Sequence, residues 1–408
     1  MRLKVDGECR RTEERIPLQT AVPGDIVRIA LIRKKYTFHG GAEGFSRGFI
    51  DLLAREGHEV HIYAIQWEKG ETEKNIFFHR LPAITFNSFL RDITFALSAK
   101  RYLKQEDYDI IQSHDKTLYQ DVYRAGDGCH IEWLKQRWTR TGFLGKCSIA
   151  LNPYHWLILG LERSIYRGHR FRKIIAISEL VKRNIMDHYP VSSDDIAVIY
   201  NPIDLKKFHP SNRENYRFGI RTEYGLSEKD VVVLFVGSGF ERKGVRYLIE
   251  AAEMLDEHVT VMVVGKGSPE KLRSIIRKQR VIFCGPQKHI EQYYAAADFF
   301  VFPTLYEPFG NVHLEALASG LPVITTLNSG ASEIIEDGKS GFIVSEPENT
   351  EAIAEGMARL LDRDARDQMS HEARRVAEKF TFERHVAEIM NLYSDIMKDK
   401  RMFQRSTP

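Results

Sequence analysis

Short apolar runs recur along this chain and are separated by stretches in which apolar side chains fall at helical spacing. Asp25–Ile32, Val60–Ile65 and the Ile110–His114 run read as strands, and Phe45, Phe49, Leu52 and Leu53 lie on one face of a helix between the first two. The alternation resumes with strands over Val231–Val236, Val259–Val264, Val281–Cys284 and Phe299–Phe302. The segments between them predict helices over Val245–Leu255, around Leu272–Arg277, and up to Ala297. Strands alternating with helices imply parallel sheets, and two such series imply two doubly wound α/β domains. The expected division is an N-terminal extension over 1–24, a first domain over 25–205, a second over 206–381 and a terminal helical segment over 382–408. The boundary falls between Asn201 and Asn212.

Open parallel sheets bind ligands at the carboxyl ends of their strands, so the segments that follow strands carry the candidate chemistry. After the Phe299 strand comes Tyr306-Glu307-Pro308-Phe309-Gly310-Asn311-Val312-His313-Leu314-Glu315, with Asn311 placed as a helix N-cap and Gly320 as its close. The free amides near Gly310, Asn311 and Val312 suit a diphosphate. Glu307 in the loop and Glu315 one turn into the helix flank that site; for such spacing alone, two solvent-exposed carboxylates are the plain alternative. After the Val231 strand, Gly237-Ser238-Gly239-Phe240-Glu241-Arg242-Lys243-Gly244 offers two cations able to neutralise a leaving diphosphate. Gly40-Gly41 follows the first strand, where a missing Cβ lets backbone approach a sugar or phosphate. His114, with Asp115, ends another strand and points to the same cleft, either as a functional group or as a satisfied core histidine.

These segments resemble the retaining glycosyltransferases of family 4, whose GT-B architecture sets two Rossmann-like domains face to face across a cleft. The E-x7-E stretch from Glu307 to Glu315, the Arg242-Lys243-Gly244-Val245 loop and Gly40-Gly41-Ala42-Glu43 carry the resemblance. Asp121-Val122-Tyr123-Arg124-Ala125 is similar to the lipopolysaccharide core glucosyltransferase I group. The resemblance implies that the terminal helix packs back on the first domain. It also implies a metal-independent transfer of a hexose, with UDP-glucose as donor and a lipid-anchored saccharide as acceptor, and retention by front-face attack in which the departing phosphate oxygen takes the acceptor's proton. Arg242 and Lys243 then stabilise the leaving diphosphate, Glu307 orients the sugar, and Glu315 holds ribose. Gly239 and Phe309 belong to the donor loops, Gly285 and Pro286 border the base, and Asn201 at the hinge touches phosphate. Many members use a histidine at the position of His114 to bond the sugar's O6, whereas the lipopolysaccharide group varies there. Asp121 and Asp127 are candidates for orienting or deprotonating the acceptor.

Composition narrows the partners. The net charge of +3 over 408 residues gives no nucleic-acid footprint. No apolar run approaches a spanning length, and the first 24 residues are too charged for a signal peptide, so the expected location is the cytosol. Residues 131–173 hold nine Lys or Arg against Glu132 and Glu162, together with Trp133, Trp138 and Trp156. Either that segment is a solvated basic face over core tryptophans, or it docks on an anionic membrane surface; the resemblance favours a peripheral contact on the inner membrane. Cys9, Cys129, Cys147 and Cys284 are too scattered for a disulfide framework or zinc site. Asp107-Tyr108-Asp109 could hold Mg²⁺ by spacing, but it reads as the polar lead-in to a strand. A sugar-nucleotide epimerase and a non-catalytic glycan-binding scaffold share this architecture and remain as alternatives, as do other family 4 hexosyl or N-acetylhexosaminyl transferases.

Overall fold

The computed structural model describes residues 26–36, 41–68 and 73–406; residues 1–24 and Gly40 lie outside them. Its first half runs β1 (Arg28–Ile32), α1 (Gly41–Arg55), β2 (Glu59–Ala64), β3 (Ile76–Arg80), α2 (Ser88–Leu103), β4 (Ile110–Ser113), β5 (Val122–Ala125), α3 (His130–Thr139), α4 (Phe143–Leu151), α5 (Pro153–Tyr166), β6 (Lys173–Ala176), α6 (Glu179–His188) and β7 (Ile196–Val198). These strands form one parallel sheet in the order β3-β2-β1-β4-β5-β6-β7. A two-stranded ladder of Lys35–Tyr36 with Gln66–Trp67 lies beside it.

The second half comprises α7 (Phe218–Glu223), β8 (Val231–Val236), α8 (Val245–Met254), β9 (Val259–Val264), β10 (Arg280–Gly285), α9 (Ile290–Ala296), β11 (Phe299–Phe302), α10 (Asn311–Ala318), β12 (Val323–Thr326), β13 (Gly341–Val344), α11 (Thr350–Leu361), α12 (Arg363–Ala377) and α13 (Phe382–Ser406). Its sheet, β10-β9-β8-β11-β12-β13, is also parallel. Every residue of β9 and β11 is buried, which explains why, Thr260 apart, they are wholly apolar: helices cover both faces of a parallel sheet. The helix expected around Leu272–Arg277 is instead two 3-10 turns, Pro269–Lys271 and Arg273–Ile275. Leu272 alone is deeply buried there, too little apolar surface to hold a longer helix.

Each sheet reverses its strand order between its first and fourth strands, β1 and β4 in one half, β8 and β11 in the other. A crevice opens at such a reversal outside the carboxyl ends. The chain then returns. Val386, Ile389, Met390, Tyr393 and Ile396 of α13 share one core with Ile29, Phe49 and Val60 of the first half. Tyr393 Oη also donates to Gln112 Oε1 at 2.9 Å. Full burial of each such apolar side chain is worth about 1.5–3 kcal/mol, so α13 is structurally part of the half that it leaves in sequence.

Candidate active site

Three cavities lie in series between the halves, and the residues that they share fix their order. A cavity of about 620 Å³ lies at the ends of β8, β9 and β10, against Gly237, Ser238, Val264, Gly265 and Pro286. It shares Asn311 and Glu315 with a middle cavity of about 370 Å³. The middle cavity shares Asp115, Gly126, Asp127 and Glu307 with a third, of about 300 Å³, which faces α2, α3 and α5.

The loop between β11 and α10 shapes the middle cavity. Gly310, not Asn311, caps the helix: it adopts φ +81°, and Asn311 is the first helical residue, its side chain accepting from Asn201 Nδ2 at 2.7 Å. A Cβ at 310 would meet His313 Nδ1 at 2.8 Å and Glu307 Cγ at 2.9 Å. His313 bonds the Gly310 carbonyl at 2.7 Å and the Thr325 hydroxyl at 2.8 Å, fastening the loop to β12; burial lowers its pKa to about 4. The amide end of α10 therefore faces the cavity without a side-chain cap, with Phe309, Gly310, Asn311 and Val312 in its lining.

Glu315 is buried, and its Oε2 accepts from Tyr294 Oη at 2.9 Å. Burial raises its pKa, against the pull of that bond, Lys207 and Lys243. It stands where the first two cavities meet. Glu307 stands where the second and third meet, 3.1 Å from Arg242 Nη1 and 3.5 Å from Lys243 Nζ. The two adjacent cations part company. Lys243, 5.2 Å over the Phe302 ring, lines the middle cavity, whereas Arg242 bonds the Tyr306 carbonyl and reaches the third cavity, 5.9 Å over the Trp133 ring. Gly244, at φ +79°, packs so tightly on the Pro303 carbonyl that a Cβ would clash with it, which holds this loop against β11.

The first half supplies the facing wall. His114 follows β4 and lines the middle cavity; burial, then Arg124 and Arg33, push its pKa well below the usual imidazole range. Its Nε2 is 2.8 Å from the Gln112 amide nitrogen, whose oxygen is taken by Tyr393. A neutral ring accepting there carries its hydrogen on Nδ1, which leaves a donor for a ligand hydroxyl. Asp127 lines both the middle and third cavities. Asp121 does not reach the cleft. It precedes β5, about 13 Å of strand away from the carboxyl end, where Oδ2 accepts from Ile111 N at 3.0 Å and from Lys400 Nζ at 2.7 Å. Its place is to tie α13 to the back of the sheet.

Other expected residues shape the site indirectly. Gly239, at φ +84°, donates to the Lys266 carbonyl and turns the cationic loop, and Gly285 ends β10 before Pro286. Gly41 is the first residue of α1. Asp107 and Asp109 bind Arg28 at the amino edge of the first sheet, away from the cleft. Among the described residues there is no cluster of three or more His, Cys, Asp or Glu able to hold a metal ion. Sequence reasoning missed Arg33, Arg124, Lys116, His130 and Tyr154, and took Trp133 only as part of a basic segment. All six line the second or third cavity. Arg33 follows β1 and Arg124 lies near the end of β5, the strand-end position that had singled out His114.

The comparisons agree with this geometry. Residues 39–207 match the family model described as Glycosyltransferase Family 4, and residues 230–363 match that described as Glycosyl transferases group 1. The chain is 28% identical over 345 residues to the lipopolysaccharide glucosyltransferase WaaG of Escherichia coli, covering 82% of this chain and 89% of that one. It is 26% identical to the uncharacterized glycosyltransferase MJ1607 of Methanocaldococcus jannaschii, over 91% of this chain and 99% of that one. The crystal structure of WaaG superposes with a TM-score of 0.74 at 26% identity, covering 88% of this chain and 99% of that one. With both halves matched and two Rossmann-like sheets facing a common cleft, the chain belongs to glycosyltransferase family 4 and has the GT-B fold.

Proposed function

We propose that the protein is a retaining, metal-independent hexosyltransferase that moves glucose from UDP-glucose to a lipid-anchored saccharide such as the lipopolysaccharide core. The series of three cavities carries this reading. The first takes the nucleoside, with Glu315 on the ribose. The second takes the diphosphate and sugar, with the α10 amides and Lys243 on the phosphates and Glu307 and His114 on sugar hydroxyls. The third takes the acceptor, beside the Trp133 and Tyr154 rings. The sugar's C1–O bond to phosphate breaks as the acceptor oxygen bonds C1 from the same face. The acceptor's proton passes to the departing phosphate oxygen, whose growing charge meets Lys243 and the helix amides. The similarity to WaaG supports glucose and the lipopolysaccharide acceptor.

The acceptor cavity shares α3 and α5 with an apolar outer face. Phe143, Leu144 and Leu151 are each at least 80% exposed, Trp156 is 69% exposed, and Lys146 lies 5.6 Å over the Trp138 ring. The exposed Trp138 and Trp156 argue against core tryptophans there. Basic residues with exposed aromatic and aliphatic side chains suit an anionic membrane surface, which would present the acceptor beside its cavity. No helix among the described residues is long and apolar enough to cross a membrane.

A panel of UDP-, GDP- and ADP-sugars, read by thermal stabilisation and slow hydrolysis, tests the donor assignment, since a ligand that binds only the folded state raises its stability. UDP-glucose is expected to stabilise the protein and to be hydrolysed to glucose. Epimerised sugar formed without acceptor would identify an epimerase, and binding of no nucleotide sugar would end the transferase reading.

A further inference from the structure

Arg124 presents a charge where the fold least favours one. It belongs to β5, whose four residues are all buried, and it is itself only 7% exposed, yet it lines the middle cavity. Its Nη2 donates to Asn201 Oδ1, and Asn201 Nδ2 donates to Asn311 Oδ1 at 2.7 Å. A strand of the first half, the hinge and the first turn of α10 are thereby joined by one chain of hydrogen bonds. A Cβ at residue 126 would lie 2.6 Å from Arg124 Nη1, so the glycine keeps open the space that the guanidinium needs. Arg33 lines the same cavity. Burial, with the Arg33 charge as the next cause, pushes the Arg124 pKa down to about 9, while Asp127 acts in the opposite sense.

Arg33 and Arg124 line the same cavity and the Arg33 charge acts against that of Arg124, so an anion placed between them and the opposite wall is favoured by both. The opposite wall does not supply a full counter-charge to a diphosphate alone, because Arg242 and Lys243 both lie against Glu307. The middle cavity that Arg124 lines is the one bounded by Asn311 and Glu315 at one end and Glu307 at the other.

We propose that Arg124, assisted by Arg33, is the first half's grip on the donor diphosphate, a second cationic wall opposite Lys243 and the α10 amides. This rests on the donor assignment made above. As the C1–O bond breaks, the diphosphate gains negative charge, so a fixed guanidinium stabilises the transition state more than the ground state, and no proton leaves it. Asn201 acts as a positioning residue that orients the guanidinium.

Calorimetric affinities are to be measured for UDP, GDP and ADP, their monophosphates and inorganic pyrophosphate, on wild type, Arg124→Gln, Arg124→Lys and Gly126→Ala. In Arg124→Gln the advantage of diphosphate over monophosphate is expected to fall about 10-fold or more, as for loss of a charge-assisted bond. Arg124→Lys restores part of it. Gly126→Ala, which keeps the charge but fills its space, also lowers it and covers the case in which Arg124→Gln does not fold. An advantage unchanged within about twofold in the variants overturns the proposal while leaving the donor assignment intact. Pyrophosphate binding that depends on Arg124, in a protein that binds no nucleotide, sustains the anion grip and removes the donor assignment instead.

Discussion

The two halves share a strand order and a switch point, yet they build their walls of the cleft by different means. In the second half the site is held by backbone. Leu305 N donates to the Arg242 carbonyl, Glu307 N to the Asn328 carbonyl, Gly330 N to the Glu307 carbonyl and Ala331 N to the Phe309 carbonyl. In the first half the wall consists of side-chain ends arriving from separate elements: Arg33 after β1, His114 after β4, Arg124 on β5, Trp133 on α3 and Tyr154 on α5. A backbone-built wall is hard to alter without disturbing the fold, whereas a wall of side chains can be changed one residue at a time. On the assignment proposed above, the backbone-built wall suits a donor with a constant diphosphate, while the side-chain wall divides: Arg33, His114 and Arg124 line the donor's cavity, and Trp133 and Tyr154 line the third, where the acceptor can differ between enzymes.

The contrast can be broken most decisively at the donor wall. Lys243→Ala is expected to cut kcat about 10²–10³-fold, the usual cost of removing one preorganised charge stabiliser, with the melting temperature nearly unchanged. Transfer that survives this change would remove Lys243 from the leaving-group site.

Acid should separate the halves next. Burial lowers the pKa of His385 and His130 to about 3 and that of His313 to about 4, and that of His114 falls as well. The unfolded chain takes up protons below its ordinary histidine pKa of 6.5 while these folded rings stay neutral. Stability is therefore full above that pH and is lost as pH falls toward 4, by about 1.4 kcal/mol per pH unit for each fully buried ring. His114, His130 and His385 pack in the first half and only His313 in the second, so the first half should loosen first. All four tryptophans, Trp67, Trp133, Trp138 and Trp156, lie in that half. Urea melts between pH 7 and pH 5 should show the fluorescence midpoint falling faster than the circular dichroism midpoint; equal movement would contradict the assignment.

At Gly310, alanine must adopt φ +81° against His313 and Glu307, a strain of about 1–3 kcal/mol. Chemical denaturation should show that loss together with weaker donor binding. Trp133→Ala is the gentlest test: loss of an aromatic platform worth about 0.5–1.5 kcal/mol should raise the acceptor KM about 3–10-fold and leave donor hydrolysis unchanged. Slower donor hydrolysis would place Trp133 on the donor instead.

The same contrast governs what can be read from sequence. Glu307, Gly310 and Glu315, or Gly239, Arg242 and Lys243, are neighbours in the chain because one loop and one helix turn hold them. Their spacing alone therefore states their geometry. Arg33, Arg124 and Tyr154 meet only after the first sheet is wound, and no spacing announces them. Asp121 shows the error that this allows: it belongs to the right strand but precedes it, so the direction of β5 carries it to the opposite edge, beside Lys400. The short 3-10 turns after β9 were misread because the apolar count there suits a helix, while only Leu272 is deeply buried.

The return of α13 has a bearing on recombination between relatives. The chain crosses between the halves twice, near 199–205 and again near 378–382, and Tyr393 and Lys400 dock on residues of the first half. A chimera that exchanges first halves with a single junction would leave its own α13 against a foreign surface, without the partners of Tyr393 and Lys400. Two junctions, with the terminal helix travelling alongside residues 26–200, make the transferable unit.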